Sequence, residues 1–109
     1  MGGNIRASAL VLCISASFAT PGAAQFAVGV AALEAGDYAT AFSELLPLAE
    51  AGEVEAQQKL GLLYLEGLGI PADANLAAAW FFRAAEKGNA NAQAQLGTMH
   101  LTGLGVRQS

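Results

Sequence analysis

The side chains that could do chemistry are few and scattered. His100 is the single histidine, and positions 96 and 104, one helical turn away on either side, are both leucine. A helical zinc site sets two ligands at i and i+4, so His100 has no partner on its own helix. No cluster of histidine, cysteine or carboxylate stands elsewhere that would complete a zinc site. The Ser-x-x-Lys pair of serine acylases does not occur. Gly67-x-Gly69 and Gly103-x-Gly105 resemble phosphate-cradling loops only in part. They follow helical patterns rather than strands, and neither continues to a third glycine or to Gly-Lys-Ser/Thr. Trp80-Phe81-Phe82 could stack a ligand ring. At consecutive helical positions the three rings point in different directions, so packing against neighbouring helices accounts for them better. Phe82 is the one expected at the surface. No residue is assigned to catalysis, to a cofactor or to a metal, and the chain is not expected to be an enzyme.

Composition narrows the partners. Hydrophobic residues make up 54% of the 109 and charged residues 13%, with much of the apolar share alanine. Alanine buries little area, which predicts a thin, closely packed core in one domain at most. The net charge is −4 and no Lys/Arg cluster occurs. Nucleic acid is therefore not an expected partner, nor is an anionic membrane surface.

Residues 1–24 read as a secretory signal. Arg6 is the only charge before Glu34, and an apolar run from Ala7 to Ala19 follows it. That run is shorter than the roughly 20 residues a spanning helix needs, and it matches the apolar core of a signal peptide. Pro21-Gly22 is expected to break the helix, and cleavage after Ala24 leaves small residues at Gly22 and Ala24. Cys13 lies inside the apolar run behind Leu12 rather than behind a small residue, so it is not a lipidation site. The mature chain then has no cysteine and no disulfide chemistry. Four bases (Lys59, Arg83, Lys87, Arg107) against nine acids leave it at 4 − 9 = −5. The expected destination is the periplasm or the exterior, with no membrane attachment after cleavage.

From Gln25 onward the pattern is helical. Ala27, Val30 and Ala31 are expected on one face of a first helix that ends at Gly36-Asp37. Asp37 or Thr40 can cap the next helix, whose apolar stripe is Ala41, Leu45, Leu48 and Ala49. Pro47 falls inside it and removes one backbone hydrogen bond, which predicts a kink but not a break. The third helix carries Val54, Ala56, Leu60, Leu63 and Tyr64, with Leu62 and Leu65 on another side, as in a helix packed between neighbours. Gly67 to Pro71 forms a turn, with Ile70 plugging its end and Asp73 or Asn75 restarting a helix that carries Ala77, Phe81, Ala84 and Ala85.

A fixed offset ties these elements together. Ala56, Leu60, Gly61, Tyr64, Gly67, Gly69 and Ile70 recur 36 residues later as Ala92, Leu96, Gly97, His100, Gly103, Gly105 and Val106. Asp37 to Asp73 and Gly52 to Gly88 keep the same 36. From Gly29 to Asp37 is 8 residues, whereas from Gly61 to Asp73 is 12, so the second turn is four residues longer. Self-similarity at this period marks a stacked repeat. The units span about 25–52, 53–88 and 89–109, the last with one helix, roughly Ala90 to Thr102. Leu96, Leu101, Leu104 and Val106 are then left with no following helix, an edge through which copies could self-associate.

The motif resembles the Sel1-like repeat, a relative of the tetratricopeptide family. Its pattern is matched by Ala56, Leu60, Gly61, Tyr64, Gly67, Gly69, Ile70 (for valine), Asp73, Ala77, Trp80, Ala84, Ala85 and Gly88. The next unit matches through Ala92, Leu96, Gly97, Gly103, Gly105 and Val106, with His100 in the tyrosine position. The resemblance implies an all-α fold, an α/α superhelical solenoid of Sel1-like or TPR-like helix-turn-helix repeats, about two and a half of them. It also implies a concave face that binds a protein or peptide without catalysis, as a scaffold or adaptor of the bacterial cell envelope. Positions outside the stripes then become the candidate partner-binding set: Gln57, Gln58, Leu62 and Leu65, and Gln93, Gln95, Thr98 and Thr102 one unit later. Glutamine and threonine at these places suit hydrogen bonding to an extended peptide. The alternatives are an envelope enzyme or cell-wall-fragment binder, since some cysteine-rich relatives are described as β-lactamases, and a truncated repeat protein without function.

Overall fold

The computed structural model describes residues 21–105, and the N-terminal run of the expected signal, residues 1–20, lies outside them, as does Val106. Among the described residues five helices follow one another: α1 (Pro21–Ala35), α2 (Tyr38–Glu50), α3 (Val54–Glu66), α4 (Ala74–Glu86) and α5 (Ala90–Thr102). Among the described residues all regular structure is helical, and no helix is long and apolar enough to cross a membrane. Each helix packs on the next in sequence, α1 on α2, α2 on α3, α3 on α4 and α4 on α5.

The ends are set by local chemistry. Asp37, Asp73 and Asn89 each turn a side-chain oxygen onto a free amide of the helix that follows, Thr40 at 3.3 Å, Leu76 at 3.1 Å and Ala92 at 2.8 Å. Such a cap satisfies one of the donors a helix start leaves open. At the other end Gly67 takes a left-handed conformation, φ 69°, and the amides of Gly67 and Leu68 both return to the Leu63 carbonyl. Gly103 and Leu104 repeat this on Met99. The longer turn after α3 is tied down by the Asp73 amide on the Tyr64 carbonyl at 2.9 Å.

Two apolar clusters make the core. The first joins α1, α2 and α3 through Ala32, Leu45, Leu48, Leu60 and Leu63; the second joins α4 and α5 through Ala77, Phe81, Ala84, Ala92 and Met99. Helix α3 serves both, since its Val54, Leu62, Tyr64 and Leu65 pack against the second cluster. All four positions expected on the α2 stripe are buried, and so are Ala77, Phe81 and Ala84 on α4. Ile70 packs against the first cluster at the end of the α3–α4 hairpin.

One expectation changes. Ala27 and Ala31 face solvent and Val30 is half-buried; the inward side of α1 is Phe26, Gly29, Ala32 and Leu33. A search for apolar side chains passes over Gly29, yet that is where α2 comes closest, and Phe26 and Leu33 flank it at i−3 and i+4. Pro21 and Gly22 belong to α1, while the apolar run that they are expected to end lies outside the described residues. Pro47 lies within α2, which runs on unbroken to Glu50, and the proline faces outward.

Two helical glycines each lie close beneath a large side chain of the next helix. A Cβ placed on Gly29 would lie 2.8 Å from Leu45, and one on Gly61 would lie 2.6 Å from the Phe81 ring. Phe81 is fully buried, so its ring has nowhere to retreat. Gly61→Ala is expected to destabilise by about 1–3 kcal/mol through overpacking, although helix propensity alone favours alanine by about 1 kcal/mol. Adding Phe81→Leu should recover part of the loss, as Leu45 already sits against a glycine; urea titration of the single and double variants measures this.

Candidate protein-interaction surface

The groups with catalytic potential are occupied or isolated. His100 is exposed on α5, and among the described residues no three histidine, cysteine or carboxylate side chains gather as a metal site. The amides of Gly67, Leu68, Gly103 and Leu104 point back to the carbonyls of their own helices, so neither glycine turn offers those donors to a phosphate. Of the three aromatic residues, Phe81 is in the core and Trp80 is half-buried with the Arg83 guanidinium 4.8 Å above its ring. Phe82 is 57% exposed, as its position on the helix predicts.

The eight candidate partner-binding residues do not form one surface. Gln57 is 3% exposed and Gln58 8%, so both are corrected from surface to interior. The reason lies in their unit: α3 has neighbours on two sides, and positions outside its apolar stripe are still enclosed. Gln57 reaches back over the turn, where its Nε2 donates to the Ala49 carbonyl at 3.0 Å. Its Oε1 is buried without a partner. Leu62 and Leu65 are half-buried at the margin of the second cluster.

One unit later the corresponding helix, α5, has a neighbouring helix on one side only among the described residues. Gln93, Thr98 and Thr102 are exposed, and Gln95 is half-buried. Gln93 repeats the contact of Gln57, its Nε2 donating to the Ala85 carbonyl at 3.2 Å, but in solvent. Thr98 donates to the Ala94 carbonyl and Thr102 to those of Thr98 and Met99. The two threonine hydroxyls keep acceptor capacity with their donors engaged within the chain, and the Gln93 amide keeps its oxygen and a second N–H.

Beside them runs a groove of about 640 Å³ between α4 and α5, whose lining includes Ala78, Phe82, Leu96 and His100. Gly97 faces open space, with nothing within 4 Å of a Cβ built on it. The residue stripes did not mark Gly97; its 36-residue correspondence with Gly61 is the feature that could have. A second, polar groove of about 480 Å³ is lined by Glu50, Gln57, Arg83, Glu86 and Lys87, and Lys87 spans the units by donating to the Gly52 carbonyl at 2.9 Å.

The two equivalent glutamines give a direct measure of what the covering helices do. Gln57→Ala removes a buried hydrogen bond and packing, and is expected to cost about 1–3 kcal/mol. Gln93→Ala removes the same contact in solvent and should fall within about 0.5 kcal/mol of the parent. Thermal unfolding followed by circular dichroism distinguishes the two; equal losses would contradict the assignment.

Comparison with known proteins agrees with the repeat geometry. The model of the Sel1 repeat matches residues 54–89 and 90–109. No curated protein matches the chain. Among solved structures, a Sel1 repeat protein from Oxalobacter formigenes is 33% identical with a TM-score of 0.70, over 74% of this chain and 33% of that one. A protective antigen present in uropathogenic Escherichia coli strains, displaying an SLR fold, is 30% identical with a TM-score of 0.77, over 81% of this chain and 20% of its own. The chain thus spans about a third and a fifth of those two proteins. Sel1 repeats generally serve as scaffolds for protein–protein interaction. With two successive matches to the repeat and the five helices in its arrangement, the chain belongs to the Sel1 repeat family.

Proposed function

We propose that the chain is a non-catalytic scaffold of the bacterial cell envelope that binds a protein or peptide partner. The observation that carries this is the division of labour along the repeat. Gly61, Gly67, Gly69, Tyr64 and Phe81 of the complete unit are engaged in packing, while α5 holds an exposed set, Gln93, Thr98 and Thr102, beside exposed Phe82 and Leu104. Solvent-facing apolar residues next to uncharged polar ones suit a protein surface better than a small-molecule site. Residues 1–24 direct export, with cleavage after Ala24, and the mature chain works in the periplasm or outside the cell. A protective antigen among the structural relatives accords with such exposure.

Two measurements test this reading. Intact-mass analysis of the protein recovered from the envelope fraction should give a mature chain beginning at Gln25; an uncleaved cytoplasmic product would overturn the export. A photo-crosslinking amino acid at Thr98 should give a discrete adduct in cells, and the same group at Glu34 on the exposed side of α1 should not. Identical patterns at both positions would reject the surface.

A further inference from the structure

We propose that the mature chain begins with pyroglutamate: cleavage after Ala24 frees the α-amine of Gln25, which then closes on its own side-chain carboxamide. The inference rests on the export reading and deepens it, naming a modification of the end that export creates. Three observations carry it.

The first is the place of Gln25 in the repeat. Gln25, Gln57 and Gln93 each stand four residues before a helical glycine, Gly29, Gly61 and Gly97 (29 − 25, 61 − 57, 97 − 93). In the two later units the Nε2 group donates to a carbonyl eight residues back, Ala49 at 3.0 Å and Ala85 at 3.2 Å. Eight residues before Gln25 stands Ser17, within the segment that cleavage removes. The side chain that is tied down in α3 and α5 therefore has no preceding carbonyl to hold it at the start of the mature α1. Among the described residues the Gln25 carboxamide has no hydrogen-bond partner.

The setting is the second observation. Gln25 is half-buried, whereas Ala23 and Ala24 just before it are exposed. A cavity of about 790 Å³, lined by Gly22, Ala23, Phe26 and Val54 among others, opens beside this stretch. Removal of Gly22 and Ala23 widens it, which leaves room for the side chain to fold back on the new terminus. Phe26 packs against the first cluster and keeps that terminus anchored.

The third is chemical. An α-amino group titrates at about pH 8, so at neutral pH a share of it is unprotonated and nucleophilic. The Gln25 α-nitrogen attacks Cδ, and a five-membered lactam closes as the N–Cδ bond forms and the Cδ–Nε2 bond breaks. Nε2 takes a proton from the attacking nitrogen and leaves as ammonia, so no oxidant, reductant or second substrate is needed. The ring removes a positive charge from a helix start, where the macrodipole disfavours one. It also leaves no α-ammonium for an aminopeptidase to recognise, which shields Phe26 and its packing from trimming.

Mass and sequencing test this on the full chain, expressed with its leader and recovered from the envelope fraction. The expected mass is that of residues 25–109 less one ammonia, and pyroglutamyl aminopeptidase should open the blocked end to Edman sequencing. Gln25→Asn keeps a carboxamide but could close only a strained four-membered ring. It should keep its ammonia and be trimmed by a general aminopeptidase that leaves the parent intact. A chain that starts at Gln25 and retains its ammonia overturns the modification and leaves export standing. A chain still carrying residues 1–24 overturns the export reading and the modification with it. Equal resistance of the parent and Gln25→Asn to the aminopeptidase overturns the shielding.

Discussion

Within each of the first two units, the paired helices approach until a glycine of the first lies beneath a large side chain of the second, Gly29 under Leu45 and Gly61 under Phe81. The rest of the fold depends on that approach. With alanine at many of the other core positions, only helices at short separation can exclude water between them. A fully buried phenylalanine is worth about 2–3 kcal/mol, which exceeds the roughly 1 kcal/mol a helical glycine forfeits. The pairing also survives a change in connection. From glycine to bulky residue is 16 positions in the first unit (45 − 29) and 20 in the second (81 − 61), and the four extra residues are taken up in the turn after Glu66.

Polar contacts then hold the register that packing sets. Asp37, Asp73 and Asn89 fix where three of the helices begin. Gln57 bonds across the α2–α3 turn and Gln93 across the α4–α5 turn, each to a carbonyl eight residues back. Lys87 ties the end of the second unit to Gly52 at the end of the first. Such bonds add about 1 kcal/mol each at most in exposed settings. Their effect is to select one alignment among several that alanine-rich faces would otherwise permit.

The fold was legible because it is repeated: the 36-residue offset placed the helices, the glycine turns and the buried stripes of α2 and α4 without reference to coordinates. Two kinds of residue were not. Spacing pairs Gly29 with Gly61, but the place of Gly29 on the inward face of α1 is not legible, because periodicity is read from side chains and here there is none. Gln57 and Gln58 were placed on the surface because glutamine is polar, yet burial belongs to the neighbours of a residue as much as to the residue. No local pattern on α3 records that helices stand on both sides of it.

The same point locates function. Gln57 and Gln93 occupy one position in the repeat and make one hydrogen bond, yet the first is enclosed and the second exposed. Gly61 and Gly97 likewise differ only in what stands over them. Each repeat thus sets the shape of its next contact, with the same residue type enclosed in one unit and open in another. Residue type in such a chain records the scaffold, whereas exposure is set by which helices stand beside a position, so the two have to be read separately.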